Sequence, residues 1–175
     1  MMTLVVGGSA SGKSAYAEGL ILAAKSWPRT YIATMEPFDD ECLRRIEKHR
    51  RLRAEKQFET VECYTDLASA MVPAGGAVLL ECMSNLCANE LYSPRGSGDG
   101  AEAAILRGVE HLRGRCGDLV VVSNEVFSGG SRYEGDTLGY LKLLGRVNRR
   151  LAAMADNVCE VVCGVPVYYK GKEPC

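Results

Sequence analysis

The chain has 175 residues, 47% of them hydrophobic, which is enough for one domain of ordinary size with a buried core. Its 21 basic and 22 acidic side chains give a formal net charge of -1, which argues against a protein that wraps nucleic acid or coats an anionic membrane. No apolar run is long enough to span a bilayer, and the N-terminus lacks the pattern of a secretion signal. We therefore expect a cytoplasmic protein.

The eight cysteines do not follow the spacing of a zinc site, because no CxxC pair occurs. Several of them lie inside apolar runs, where a thiol behaves as a small hydrophobic side chain. We predict that they are reduced and mostly buried: Cys42, Cys63, Cys82, Cys87, Cys116, Cys159, Cys163 and Cys175.

Strand and helix patterns alternate along the chain. Apolar, β-branched runs predict strands at 3–8, 30–34, 58–63, 77–82, 118–126, 157–162 and 165–169. Helical patterns occupy 14–26, 39–55, 101–115 and 136–155, and the low-complexity segment 93–100 predicts a surface loop. This alternation predicts a single α/β domain over residues 1–175, with a mostly parallel sheet and helices on both faces.

Residues 7–14 read GGSASGKS and fit the phosphate-binding loop pattern G-x-x-x-x-G-K-[ST], between the first strand and the first helix. Glycines let backbone N-H groups turn toward phosphate oxygens, and the helix N-terminus adds positive potential. Lys13 is placed to reach the β- and γ-phosphates, and the Ser14 hydroxyl to bind Mg²⁺. The alternative is an ordinary glycine-rich turn. The predicted nucleotide contacts are Gly7, Gly8, Ser9, Ala10, Ser11, Gly12, Lys13 and Ser14.

A phosphate-binding loop usually works with an acid at the end of a neighbouring buried strand. Glu81, which closes the apolar run at 77–81, is the best candidate for this metal-binding role. The alternative is a carboxylate that only caps the next helix. Asn124 and Glu125 close another such run, so we expect them at the same edge of the sheet.

A histidine lies in the basic segment RRIEKHRRLR. On a helix, Arg45, His49 and Arg53 fall on one stripe, because they are spaced by four residues. Nearby cations disfavour the protonated imidazole and leave a ring nitrogen free as a nucleophile, while arginines bind phosphates. The segment therefore suits a covalent phosphoryl or nucleotidyl histidine, although the spacing alone favours a solvated basic face with no special role for the histidine. His111 has no neighbouring motif and is interpreted as a surface residue.

Taken together, these motifs resemble a known family. GGxxSGKS, YIAT, a D-x-E-x3-RI-x2-H-x3-R helix, TVE, LLEC, NEV and GRVN-x2-LA-x2-AD occur in the order found in the bifunctional adenosylcobinamide kinase/adenosylcobinamide-phosphate guanylyltransferases. The resemblance covers almost the whole chain. It implies a P-loop fold, a homotrimer, and two reactions: phosphorylation of adenosylcobinamide, then transfer of GMP from GTP through a GMP-histidine.

The resemblance also implies roles for residues outside the P-loop. The family histidine falls on His49, which is thus the expected catalytic residue beside Lys13. The implied cofactors are GTP, ATP and Mg²⁺, with Ser14 and Glu81 as metal ligands. The further implied contacts to nucleotide or metal are Ala33, Thr34, Met35, Arg50, Arg51, Leu52, Arg53, Glu62 and Glu81.

The chain departs from the family pattern at three places. Ala10 replaces a loop arginine, the segment 127–132 differs, and Leu141-Lys142 replaces an Arg-Asp pair. These changes motivate a first alternative, a guanylyltransferase that has lost the kinase step. A second alternative is a non-catalytic GTP-binding switch, in which His49 would have no role.

Overall fold

A computed structural model describes the chain over residues 1–37, 43, 44, 46, 47, 50, 51, 55–126 and 135–172. The strands are β1 (Met2–Gly7), β2 (Arg29–Ala33), β3 (Phe58–Glu62), β4 (Ala77–Glu81), β5 (Asp118–Asn124), β6 (Asn157–Val162) and β7 (Val165–Lys170). The helices named below are α1 (Lys13–Ala23), α2 (Met83–Tyr92), α3 (Ala101–Arg115) and α4 (Gly135–Met154). Short 3-10 turns occur at Leu67–Ser69 and Gly98–Gly100.

The strands of the described residues form one seven-stranded sheet in the order β3-β2-β4-β5-β1-β6-β7. All neighbouring pairs are parallel except β6 and β7, which form an antiparallel hairpin at one edge. This confirms the predicted mostly parallel α/β sheet.

The sheet is buried on both faces, as its apolar runs predict. On one face, Ala17 and Ile21 of α1 pack with Val5, Leu79 and Val122. The other face carries α2, α3 and α4, and its core contains large side chains from all three helices, among them Leu86, Ile105 and Leu144. β4 is the most enclosed strand, because the side chains from Ala77 to Leu80 have no exposed surface.

The sequence interpretation assigned no element to residues 83–92, which form α2. The signal was present, because Met83, Leu86, Cys87 and Glu90 follow the spacing of one helical face, and all four are buried. Glu90 interrupts the apolar pattern. Its buried carboxylate accepts hydrogen bonds from the backbone N-H groups of Asp66 (2.6 Å) and Ser97 (2.9 Å), which fixes the end of α2 to two loops.

The parallel register brings the carboxyl ends of six strands, β1 to β6, to one edge of the sheet. Gly7 of β1 pairs with Asn124 of β5, and Ala33 of β2 pairs with Glu81 of β4. Ligands in open α/β sheets bind outside this edge. The sheet therefore assembles the predicted P-loop, Glu81, Asn124 and Glu125 on one side of the molecule.

Other predictions concern single residues and loops. His111 is exposed on α3 and residues 93–100 lie at the surface, as expected. Cys63, Cys87 and Cys159 are buried, Cys82 and Cys116 are half-buried, and none of the described cysteines is in a disulfide. Cys163, however, is exposed. Within the described parts of the chain, no helix has the length and hydropathy needed to cross a membrane.

Candidate active site

The P-loop links β1 directly to α1. Strand β1 ends at Gly7 and α1 begins at Lys13, and the Ser11 N-H donates to the Gly8 carbonyl (3.3 Å) to close the turn between them. Two residues of the loop have left-handed backbone: Ala10 at φ 56° and Gly12 at φ 91°. Glycine adopts this conformation without a steric penalty, whereas Ala10 carries some strain. This is a loop whose N-H groups can point inward.

The first two glycines of the loop are required for different reasons. A Cβ at Gly7 would lie 2.6 Å from the Ser11 Oγ and 2.8 Å from the backbone oxygen of Val161, so only glycine fits the protein there. A Cβ at Gly8 would meet no protein atom within 4 Å. The space beside Gly8 is thus open to a ligand, as expected where a backbone approaches a phosphate.

Lys13 lies in the mouth of the loop. Its side chain is only 9% exposed, and its Nζ donates a hydrogen bond to the Gly8 carbonyl (3.0 Å). A buried ammonium with one carbonyl partner still has two N-H groups to donate. The structure therefore holds a cation where the predicted β- and γ-phosphates would lie.

Glu81 meets the P-loop across the sheet. Its carboxylate accepts hydrogen bonds from the hydroxyl of Ser14 and from the phenol of Tyr31 (3.2 Å). The hydrogen bonds of the Glu81 carboxylate thus run to Ser14 and Tyr31, and the N-cap position of helix α2 is occupied by Cys82. The strand of Glu81 is also not the direct neighbour of β1, since β5 lies between them. The contact forms because α1 packs across β5 and β4.

Tyr31 is a site residue that the sequence interpretation passed over, although it begins the YIAT motif. The side chain is 7% exposed, and its ring packs edge-to-face on Phe58 with a centroid distance of 6.3 Å. The ring is thus held in the core while the phenol oxygen reaches Glu81. Nothing in the local sequence indicates this role, because it depends on the pairing of β2 with β4.

The end of β5 fixes the other side of the loop. The Glu125 N-H donates to the Gly7 carbonyl (3.0 Å), and the Asn124 N-H donates to the Ser84 Oγ (3.1 Å). Ser84, at the start of α2, also lies close to the phenol of Tyr140 on α4. Burial raises the pKa of Tyr140, so this phenol remains protonated at neutral pH. Asn124 and Glu125 lie at the edge where the sequence placed them.

The hairpin between β6 and β7 supports the P-loop from a third direction. The Gly164 N-H donates to the Ser11 carbonyl (2.8 Å), and a Cβ at Gly12 would lie 3.1 Å from the Cα of Gly164. Cys163 and Gly164 both have positive φ, as a two-residue type I′ turn requires. The hairpin turn therefore sets how closely the loop can approach the sheet.

Three predicted contacts lie at the end of β2: Ala33 is half-buried, Met35 is exposed and Thr34 is fully buried. The Thr34 hydroxyl donates to the Cys82 carbonyl (2.8 Å) and accepts from the Cys82 N-H (2.7 Å). Asn89 of α2 donates to the Thr34 carbonyl (2.8 Å). The side chain of Thr34 thus ties β2 to the start of α2, and its contact with nucleotide stays a prediction.

Glu62, at the end of β3, forms an ion pair with Arg50 and accepts a hydrogen bond from the Tyr64 phenol (3.0 Å). Burial and the Glu62 carboxylate raise the pKa of Tyr64 to about 12, so the phenol remains a donor. Arg51 is exposed and pairs with Glu47 at 3.2 Å. These arginines have carboxylate partners, and such exposed pairs contribute little to stability.

Comparison with known proteins identifies this arrangement. Residues 3–169 match the model of the family described as cobinamide kinase / cobinamide phosphate guanyltransferase. The chain belongs to this family. The resemblance stated from the motifs is therefore confirmed.

Curated relatives of this cobinamide kinase / guanyltransferase chain support the assignment. It is 37% identical to the bifunctional adenosylcobalamin biosynthesis protein CobU of Salmonella typhimurium, covering 97% of this chain and 100% of that protein. The CobU protein of Escherichia coli gives the same values. CobP of Pseudomonas aeruginosa is 32% identical over 98% of this chain and 99% of its own length.

Comparison with a solved structure of low sequence identity supports the fold but not the function. An ATPase from the type III secretion system of pathogenic bacteria superposes with a TM-score of 0.54 at 12% identity. The superposition covers 95% of this chain and 56% of the ATPase chain. The predicted P-loop nucleotide-binding fold is thus confirmed.

The histidine that the family motif places at His49 lies outside the described residues, as do Leu52 and Arg53. The catalytic role of His49 and the nucleotide contacts of the basic segment stay predictions. Described residues of this segment, at 43, 44, 46, 47, 50, 51 and 55, are helical, as the sequence predicts.

The pair formed by Ser14 and Glu81 fits the Mg²⁺ expected in this family. Both offer oxygen atoms, which Mg²⁺ prefers, and one carboxylate with substrate phosphates and waters is a usual way of holding it. Elsewhere in the described chain, no group of three or more histidine, cysteine, aspartate or glutamate side chains is placed to hold a metal.

Proposed function

We propose that this protein phosphorylates adenosylcobinamide and then transfers GMP from GTP to adenosylcobinamide phosphate, giving adenosylcobinamide-GDP. The observation that carries the proposal is the meeting of Ser14 and Glu81 beside the Lys13 ammonium, in a chain of the cobinamide kinase / guanyltransferase family. This is the constellation that phosphoryl transfer requires: a phosphate cradle, a cation and an oxygen site for metal.

In the kinase step, the hydroxyl oxygen of adenosylcobinamide attacks the γ-phosphorus, and the bond from that phosphorus to the leaving nucleoside diphosphate breaks. Backbone N-H groups of the P-loop bind the phosphates, and Lys13 donates to their β- and γ-oxygens. Ser14 and Glu81 would hold Mg²⁺, which would neutralise phosphate charge when bound. Tyr31 keeps the Glu81 carboxylate oriented through its hydrogen bond.

In the transferase step, a ring nitrogen of His49 attacks the α-phosphorus of GTP and pyrophosphate leaves. The phosphate oxygen of adenosylcobinamide phosphate then attacks the same phosphorus, and His49 is released. The nucleotide contacts proposed for this step are Ala33, Thr34, Met35, Arg50, Arg51, Leu52, Arg53 and Glu62. Two of them, Arg50 and Glu62, are joined as an ion pair at the same edge of the sheet.

The test is a product assay on purified protein with adenosylcobinamide, Mg²⁺ and either ATP or GTP, followed by mass spectrometry of the corrinoid. We expect the corrinoid to gain a phosphoryl group and, with GTP, a GMP. Lys13→Ala should lower the rate of the first step at least a hundredfold, since it removes the cation from the loop.

Two other outcomes would replace the proposal. In the first, the protein transfers GMP to supplied adenosylcobinamide phosphate but does not phosphorylate adenosylcobinamide. This result would identify a guanylyltransferase that has lost the kinase step, as the replacement at Ala10 suggested. GTP binding with no corrinoid product from either substrate would leave the non-catalytic switch.

The trimeric assembly proposed here rests on the family resemblance, and the location and the lack of a nucleic-acid partner rest on the composition and charge of the sequence. We propose a homotrimer that acts in the cytoplasm on a small-molecule substrate, with no nucleic-acid partner. Sedimentation equilibrium of the purified protein tests the trimer, and a monomeric mass across the working concentration range would contradict it.

A further inference from the structure

A groove between α2 and α4 has no role in nucleotide binding as described above. The groove has a volume of about 370 Å³ and is lined by Ala88 and Tyr92 of α2 and by Asp136, Thr137 and Tyr140 of α4. Pockets for small molecules occupy about 300 to 1,000 Å³, so the groove can hold a substantial part of a large ligand. We call it the α2–α4 groove.

The α2–α4 groove lies close to the phosphate site. Tyr140, which lines the groove, is near enough to Ser84 for that hydroxyl to affect the pKa of its phenol. Ser84 in turn accepts from the Asn124 N-H (3.1 Å) at the end of β5, the strand paired with the end of β1 at Gly7. A ligand in the groove therefore lies beside the edge of the sheet where the P-loop opens.

The walls of the groove suit a flat, uncharged ligand. Tyr92 is 51% exposed although large and aromatic, and its phenol donates to the backbone carbonyl of Asp136, which holds the ring at the groove wall. Ala88 adds a small apolar side chain to the same wall. An exposed aromatic ring at a groove favours a ligand with large apolar faces.

The charge of the groove argues against a nucleotide as its occupant. Among the described lining residues, the Asp136 carboxylate is the one ionisable group besides the two phenols, and none is a lysine or arginine. A carboxylate repels phosphate, but it accepts hydrogen bonds from amide N-H groups. Thr137 adds a hydroxyl that can donate to an amide carbonyl.

We propose that the α2–α4 groove binds the corrin ring of the acceptor, a flat macrocycle fringed with neutral amides. The ring stacks on the Tyr92 and Tyr140 side of the groove, its amides bond to Asp136 and Thr137, and its hydroxyl-bearing arm extends past Ser84 to the P-loop. This inference rests on the proposed function, because it identifies where the substrate of that function binds.

The test uses two substitutions in the full-length protein. Ala88→Trp fills the groove, and Tyr92→Ala removes an exposed stacking surface with little effect on the core. Ala153→Trp is the matched control, because Ala153 is exposed on the same helix about 25 Å from Asp136. For each protein, binding of dicyanocobinamide is measured by calorimetry, and KM is measured for adenosylcobinamide and for the nucleotide.

We expect both groove variants to weaken dicyanocobinamide binding and to raise KM for adenosylcobinamide at least tenfold. Their KM for nucleotide and their labelling by GTP should match those of the wild type, which shows that they are folded. Ala153→Trp should match the wild type throughout.

The two proposals fail in different ways. If the wild type modifies adenosylcobinamide and the groove variants keep the wild-type KM for adenosylcobinamide, only the groove assignment is overturned. A wild type that binds dicyanocobinamide in the groove but forms no corrinoid product would overturn the proposed function and leave a corrinoid-binding groove. Loss of nucleotide and corrinoid binding together in both folded groove variants would also contradict a separate corrinoid site.

Discussion

Gly7 and Gly8 are adjacent, but a side chain is excluded by the protein at Gly7 and by the expected ligand at Gly8. This difference can be tested. A Cβ at Gly7 would clash with backbone, so Gly7→Ala should lower the free energy of unfolding by about 1 to 3 kcal/mol. A Cβ at Gly8 meets no protein atom. Gly8→Ala should therefore keep the stability of the wild type and bind GTP at least tenfold more weakly, since the added methyl enters the phosphate space. Urea unfolding and calorimetric titration with GTP measure the two effects.

The same pair of measurements can contradict this interpretation. Wild-type GTP affinity in a stable Gly8→Ala protein would mean that phosphate does not approach this part of the loop.

Tyr31 is expected to orient Glu81. Tyr31→Phe keeps the ring on Phe58 but leaves one carboxylate oxygen without its donor, so we predict a loss of about 1 kcal/mol in the free energy of unfolding. We also predict a several-fold higher Mg²⁺ concentration for half-maximal activity, because the carboxylate is no longer held toward Ser14. Kinase rate as a function of Mg²⁺ concentration provides the measurement.

The matched control for Tyr31→Phe is Tyr168→Phe, which removes the phenol that shares a hydrogen bond with Tyr16 (2.7 Å). It should destabilise the protein by a similar amount without changing the Mg²⁺ dependence. An unchanged Mg²⁺ dependence in Tyr31→Phe would show that this phenol serves stability alone.

At the scale of elements, the hairpin of β6 and β7 is the least obvious support of the P-loop. Asparagine adopts positive φ more readily than most residues and is favoured before glycine in type I′ turns, so Cys163→Asn should raise the free energy of unfolding by about 0.5 kcal/mol. Valine is β-branched, so Cys163→Val should lower it by about 1 to 2 kcal/mol. Thermal unfolding of the two variants distinguishes them, and equal melting temperatures would argue against the turn assignment.

The sequence predicted those elements whose signal is local. The P-loop motif specifies its own backbone conformation, and the apolar runs specify buried strands, so β1, α1 and β4 lie where they were expected. Helix α2 was missed because its apolar stripe is short and contains Glu90, whose burial is possible only through hydrogen bonds from two distant loops.

Contacts between elements were less accessible to prediction. Strand-end reasoning placed Glu81 at the correct edge, but its contact with Ser14 bridges 67 positions of sequence and crosses an intervening strand. The roles of Tyr31 and Gly164 depend on strand order and register, which a single sequence does not reveal.

At the scale of the whole molecule, the reactivity of the cysteine thiols measures how well the core excludes water. Burial raises the pKa of Cys87 to about 12, and burial with nearby carboxylates raises that of Cys63 to about 11, both from 9.0. At pH 8 these groups are therefore protonated thiols in the folded protein, and thiols alkylate slowly. We predict that iodoacetamide modifies exposed Cys163 at least tenfold faster than Cys63 or Cys87, and that urea removes the difference.

Mass spectrometry of peptides from folded and unfolded samples gives the alkylation rates. Rapid modification of Cys63 or Cys87 in the folded protein would contradict the packing of α2 against the sheet.

The most direct measurement of the proposed function is incubation of the protein with Mg²⁺ and GTP labelled at the α-phosphate, followed by a test for protein-bound label that survives alkali and is lost in acid. A phosphoramidate behaves in this way and a serine ester does not. We predict such label in the wild type and in Ala153→Trp, and none in a His49→Ala protein that still phosphorylates adenosylcobinamide. Absence of label from a wild type that binds GTP, or equal label in His49→Ala, would contradict GMP transfer through His49.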